Sequence, residues 1–351
     1  MEFEIELKLL TNNEAGEVID KKLLPNLTCN AKKKVMRLTN YYFDTPNRLL
    51  RKHDIGLRIR SSDQYCEQTL KTSGHSIGGL HKRPEYNVSL DCYDRSNTKS
   101  PNLSLFENSA WPKNFDLEAA QKDLETMFST NFTRHVYLLD NKTSSIELVW
   151  DNGEVRSGEF TLPICEIELE LKKGAVKDLF KLAKQISSLM PLGIGVHSKA
   201  ARGYRLADNV KISRATLPNF GNNVALNIEE CVVLINKALS HFQIASAFFC
   251  FNHLELNFDG VPDISKAFNL LTLSLQKLFN LTLCNELSVL CDKSVSLTFH
   301  WSSIVHDIEA AKEDSFEFLE KLSVFLTNSQ TIDFQLDLVQ VMLEKPWVNY
   351  N

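Results

Sequence analysis

Strict alternation of charged and apolar residues recurs in four short segments, and no other feature of the chain limits its fold so closely. Glu4, Glu6 and Lys8 alternate with Ile5, Leu7 and Leu9, and Arg58 and Arg60 with Leu57 and Ile59. Glu67, Thr69 and Lys71 share a third row, and Glu166, Glu168 and Glu170 alternate with Ile167, Leu169 and Leu171. Side chains two apart in a strand lie on one face, so each segment carries a row of ionised groups opposite an apolar row. A half-exposed antiparallel sheet with a solvated charged face explains any one of them. Two features argue against that for the set. Three carboxylates in a row repel one another unless cations face them, and the positive strand is of Arg-x-Arg type. A closed barrel with a polar lumen sets acid rows opposite base rows, its apolar outside covered by helices. The ligand suited to such a lumen is a polyphosphate bridged to the acids by a divalent metal, with arginine and lysine taking up the remaining charge.

The rest of the chain divides in two. At 351 residues and 40.0 kDa it exceeds what one core usually holds. Up to Leu206 the pattern is β-rich, punctuated at Asp44-Thr45-Pro46, Ser73-Gly74 and Asn152-Gly153. Helical stretches are expected near 13–22, 116–128 and 176–189. After a linker over 207–223, helical periodicity takes over near 225–244, 263–282, 302–327 and 331–344. Charge divides at the same place. Residues 216–351 hold 7 Lys, no Arg and 16 acids, a balance of −9, whereas the remainder carries +4. Every arginine, the side chain suited to bidentate phosphate contact, therefore lies in the first part.

Composition excludes several classes. With 43% hydrophobic and 24% charged residues the chain is neither disordered nor collagen-like. No run of 18 uninterrupted apolar residues occurs, so no membrane span is expected. The acidic opening Met1-Glu2-Phe3-Glu4 is unlike a signal peptide, which points to the cytoplasm. The eight cysteines form no Cys-x-x-Cys pair and read as reduced. No nucleic-acid partner is expected.

The opening Glu4-Ile5-Glu6-Leu7-Lys8 resembles the E-x-E-x-K signature of the triphosphate tunnel metalloenzymes, the CYTH superfamily, and further matches follow in family order. They are Tyr42-Phe43-Asp44-Thr45-Pro46, Gly56-Leu57-Arg58-Ile59-Arg60, Glu67-Gln68-Thr69-Leu70-Lys71, Gly78-Gly79-Leu80-His81-Lys82-Arg83-Pro84-Glu85-Tyr86-Asn87, the Glu166-x-Glu168-x-Glu170 strand and Ser198-Lys199-Ala200-Ala201-Arg202-Gly203-Tyr204. The likeness covers 1–206 and is strongest to the bacterial inorganic triphosphatase branch, in which a helical CHAD domain follows the tunnel. It implies an α+β chain: an eight-stranded antiparallel β-tunnel over 1–206 with flanking helices, a linker over 207–223, and an all-α domain over 224–351. That helical domain is expected to be a shortened, acidic form that packs on the tunnel or mediates association.

Carried over by position, the resemblance implies metal-dependent hydrolysis of inorganic triphosphate to diphosphate and phosphate, with Mg²⁺ or Mn²⁺. Glu4, Glu6, Glu166, Glu168 and Glu170 fall on metal-holding acids. Lys8, Arg58, Arg60, Lys71, Arg83, Arg134, Lys199 and Arg202 fall on phosphate-binding bases. Glu85 and Asp151 fall where a second metal or the attacking water is positioned, so that Glu4, Glu6, Lys8, Lys71, Glu85 and Asp151 make up the implied catalytic set. Phosphoryl transfer needs positioning and charge neutralisation more than a protein nucleophile, and alanine at Lys8 or Glu168 is expected to remove activity with the fold intact. His81 reads as structural, Tyr42 and Tyr86 as packing residues, and Lys32-Lys33-Lys34 as a solvated run. Thiamine triphosphatase, class IV adenylyl cyclase and a non-catalytic polyphosphate-binding module stand as alternatives.

Overall fold

Alternation drives the backbone into strands that close on themselves. The computed structural model describes residues 2–90, 100–210, 217, 225–251, 261–311 and 316–350. Ten strands form one antiparallel sheet: β1 (Glu2–Leu10), β2 (Asn30–Asp44), β3 (Gly56–Ser61), β4 (Cys66–Lys71), β5 (His75–Ile77), β6 (Leu80–Leu90), β7 (Glu125–Asp140), β8 (Ser145–Ser157), β9 (Phe160–Lys173) and β10 (Gly193–Ile194). Eight of them make a ring, β1-β9-β8-β7-β2-β3-β4-β6, which closes because β1 also pairs with β6, from Glu2 opposite Glu85 to Leu7 opposite Leu80. Short β10 and β5 extend β1 and β6 outside the ring. Closure removes every edge within the ring and sorts the alternating residues into an inner and an outer set.

The outer set is apolar and covered. Leu7, Leu9, Ile167 and Leu169 are completely buried against α4 (Val176–Ser187), whose Leu179, Phe180, Ala183 and Ile186 form the stripe read from the sequence. Leu57 and Ile59 belong to a second cluster with Leu103 and Phe106. The other helices of this part are α1 (Ala15–Val18), α2 (Leu49–Lys52), α3 (Leu117–Lys122) and α5 (Lys199–Ala207). Asp44 is fully buried and accepts from the backbone N–H of Thr45, Leu50 and Arg51, which fixes α2, and from the Tyr204 hydroxyl at 2.9 Å, which ties α5 to β2.

The helical part comprises α6 (Ile228–Phe251), α7 (Val261–Thr282), α8 (Asn285–Ala311), α9 (Phe316–Thr327) and α10 (Ser329–Glu344). Its core is continuous with that of the barrel: one buried cluster runs from Leu7 and Leu9 through Ile186 and Ile194 to Phe242, Phe268 and Val339. Asp337 of α10 pairs with Lys184 of α4, and the Ser187 hydroxyl bonds Asp333 at 2.9 Å.

Several expectations change. The helical stretch expected over 116–128 ends at Lys122, because Thr126 and Phe128 pair with Phe43 and Tyr42 of β2. Asn152-Gly153 is not a turn but the middle of β8. A Cβ at Gly153 would overlap the Asn131 carbonyl and the Phe132 backbone, so glycine admits the close approach of β7. The helix expected over 302–327 is two helices, α8 and α9, and α8 begins at Asn285. Helix α6 is long and apolar enough to cross a membrane by length and composition (mean hydropathy 1.3 over its most apolar window), and 44% of that window is buried inside the molecule. Most of the expected linker, together with Cys92 and His253, lies outside the described residues, and the seven described cysteines are free.

Candidate active site in the barrel lumen

The inner set of side chains encloses a cavity of about 230 Å³. Its lining includes Glu4, Glu6, Lys8, Arg58, Arg60, Lys71, Arg83, Glu85, Arg134, Glu168, Glu170 and Lys199, and with Tyr42 of β2 and Glu147 of β8 all eight ring strands and the first turn of α5 converge on one space. Asp151, Glu166 and Arg202 stand behind this wall and reach it through the groups they bond.

Three charge clusters divide the bore. In the deepest, carboxylate oxygens of Asp151, Glu166 and Glu168 lie within 4.8 Å of one another. Lys199 binds Asp151 at 2.7 Å and Glu168 at 3.0 Å and makes a short contact to Glu166. Lys8, 1% exposed, contacts Glu168 and lies 3.6 Å from Glu166 and 3.8 Å from Glu6. Arg134 spans Asp151 (2.6 Å) and Glu168 (2.8 Å), and Arg202 holds Glu166. Burial pushes the Glu168 carboxyl up, but Lys199, Lys8 and Arg134 outweigh it and hold the group ionised, well below the usual range. Asp151 and Glu166 are lowered in the same way, burial being outweighed by Arg134 and Lys199 at Asp151 and by Arg202 and Lys199 at Glu166.

The second cluster centres on Lys71, 2.5 Å from Glu4 and 2.8 Å from Glu85. In the third, Glu6 of β1, Glu170 of β9 and Glu147 of β8 sit opposite one another on adjacent strands, with Lys172 at 2.7 Å from Glu170. Burial raises the Glu170 carboxyl, with Glu147 and Glu85 adding to it against Lys172.

The remaining bases are more weakly paired. Arg60 donates to Asn40 at 2.8 Å, and its pKa is lowered by burial and by Arg58 and Arg134. Arg58 reaches Glu85 only at 3.9 Å, and the Nε atoms of Arg58 and Arg83 are buried without partners. Among the described residues, Arg60 and Arg83 form no ion pair. Buried guanidinium groups with weak or no ion pairing are costly. The acids present an all-oxygen donor set of the kind hard divalent cations take.

Lining residues outside the expected site set include Glu147, Lys172, Tyr42 and His81. Tyr42 is not mere packing. It stacks on Phe128 and bonds Arg58; burial raises its phenol, and Arg58 and Arg60 outweigh that to lower it. His81 has a buried Nε2 without a partner, and burial and Lys8 lower its pKa. Tyr86 does pack, in the second cluster, and Lys32 to Lys34 are exposed.

Residues 2–204 match the model of the CYTH domain. The chain is 37% identical over 204 residues to an inorganic triphosphatase of Haemophilus influenzae; the match covers 58% of this chain and 54% of that protein, about half the relative's length. Among solved structures, a Hippeastrum adenylyl cyclase described as having a dominant triphosphatase activity is 21% identical with a TM-score of 0.41, covering 57% of this chain and 95% of that one. A Pyrococcus horikoshii protein is 19% identical with a TM-score of 0.36, covering 59% and 99%.

Proposed function

The chain belongs to the CYTH family, and from that premise we propose that its lumen hydrolyses inorganic triphosphate to diphosphate and phosphate with the help of Mg²⁺ or Mn²⁺. The observation that carries the reading is that Arg60 and Arg83 line the lumen with no ion pair among the described residues, beside Arg58, whose carboxylate contact is Glu85 at 3.9 Å and whose Nε has no partner. A bore of about 230 Å³ lies below the roughly 300–1,000 Å³ of clefts that enclose drug-sized ligands. That supports a compact inorganic anion over thiamine triphosphate or ATP.

Arg58, Arg60, Arg83 and Lys71 grip the phosphate chain, and Lys8, Arg134, Lys199 and Arg202 fix the acids against it. Glu4, Glu6, Glu168 and Glu170 are the lumen acids open to a cation, with Glu166 and Asp151 behind them. When bound, a divalent cation supplies neutralisation of the phosphoryl oxygens. Glu4, raised to about 7 by burial and by its neighbours Glu6 and Glu85 against the pull of Lys71, is suited to accept the proton of an attacking water near neutral pH. Asp151 is bonded by Arg134 through both oxygens and serves to orient that base. The helical part over 224–351, with its acidic surface, serves as a packing partner of the tunnel unit over 1–206.

Phosphate release with Mg²⁺ or Mn²⁺ from triphosphate, ATP, thiamine triphosphate and long-chain polyphosphate tests the reading. The expected result is preferred turnover of triphosphate. Preference for a nucleotide or thiamine substrate, or binding without release, would overturn it in favour of the alternatives.

A further inference from the structure

A second cavity, of about 90 Å³, lies between the start of β9, the end of β1, the middle of α5 and helix α6. None of its lining residues borders the lumen. One wall is apolar and comes from Ile244, Phe248 and Phe251 of α6; the other presents His197, Arg202 and Arg205. Burial and the two guanidinium groups push the His197 imidazole down to about 4, so it stands neutral, and the charge on the cavity wall is that of Arg202 and Arg205. Arg202 spends one nitrogen on Glu166 inside the barrel, while its Nε is buried without a partner. Arg205, half-buried, forms no ion pair among the described residues, and burial together with the Arg202 guanidinium lowers its pKa. Among the described residues no acid lines the cavity.

We propose that this cavity is an oxyanion site, separate from the lumen, that takes a phosphate-sized anion between Arg202 and Arg205. Its size suits a single tetrahedral oxyanion rather than a phosphate chain, and such an anion would meet the Arg205 charge and the free Nε of Arg202. Because Arg202 touches both this anion and Glu166, occupancy of the site draws on the same guanidinium that steadies the deepest lumen carboxylate. The proposal rests on the geometry of this cavity and not on the reaction assigned to the lumen.

Inorganic phosphate is the probe, titrated at constant ionic strength into the full chain. The ring ¹³C–¹H signal of His197, assigned by its loss in His197→Gln, is the local readout. A saturable shift of that signal is expected in the wild-type chain. It should weaken at least tenfold in apparent affinity in Arg205→Gln, recover in part in Arg205→Lys, and persist in the lumen variant Arg60→Ala. A linear, non-saturating response, or one unchanged by Arg205→Gln, would overturn the proposal. So would a shift abolished by Arg60→Ala, since that would place the phosphate in the lumen.

Discussion

Glu4 and Glu85 share the Lys71 ammonium, yet the two carboxyls titrate in opposite directions. Burial raises both; at Glu85 the pull of Lys71 and Arg58 wins and the group stays ionised, whereas Glu4, beside Glu6 and Glu85, rises to about 7. A carboxyl whose folded pKa exceeds its unfolded value adds stability below the unfolded pKa and loses it as pH climbs through the folded one. Wild-type stability should therefore fall relative to Glu4→Gln between pH 4.5 and about 7, a difference read by thermal unfolding across that window; parallel curves would contradict it. The buried network also changes what alanine does. Lys8→Ala leaves Glu168 and Glu166 to Lys199, Arg134 and Arg202, and removing one partner from a buried charge network costs up to about 3–5 kcal/mol. Urea unfolding should show that loss in a chain that still folds, and Glu168→Gln, which removes the charge and keeps the shape, is the companion probe. The charged rows were legible because period two puts their members on one face. Glu147 was not: alone among Ser145 and Val149 on its face of β8, it makes no row, and only the register opposite Glu170 reveals it.

Helix α5 shows how one element sets the site. The Ser198 hydroxyl caps it by accepting from Ala201 N–H at 3.1 Å, which starts the helix where Lys199 and Arg202, three apart, both turn toward the barrel. Gly203 lets it lie against β7, since a Cβ there would strike the Phe128 ring. Gly203→Ala is expected to cost about 1–3 kcal/mol of stability by overpacking and, by lifting α5, to depress turnover further than the stability loss explains; unfolding curves and rates on the same samples check both. Local signals led elsewhere at two points for one reason. Asn152-Gly153 has turn chemistry and Glu125–Phe128 helical periodicity, but pairing of β8 and β2 with β7 overrides both.

At the scale of the whole molecule, the change of texture near residue 206 marks a change of architecture but not of core. Leu192 N–H bonds the Thr327 carbonyl, a Cβ at Gly78 would meet Val339 and Leu239, and one apolar cluster spans barrel and helices. Sequence periodicity reports which face of each helix is apolar and is silent on what covers it. Calorimetry of the full chain should give one cooperative transition, and a chain ended at Val210 should unfold at lower temperature or aggregate, its α4 and β10 faces being uncovered; two independent transitions would contradict this. The account stands on unpaired bases that meet a phosphate chain inside a closed bore. The most direct measurement is kcat/KM for phosphate release from triphosphate by the wild-type chain and by Arg60→Ala, with Mg²⁺ or Mn²⁺ present. Loss of one to two charged hydrogen bonds, about 1.5–3 kcal/mol, predicts turnover by the wild type and a fall of roughly 10- to 100-fold in the variant. No release by the wild type, or an undiminished rate in Arg60→Ala, would contradict it.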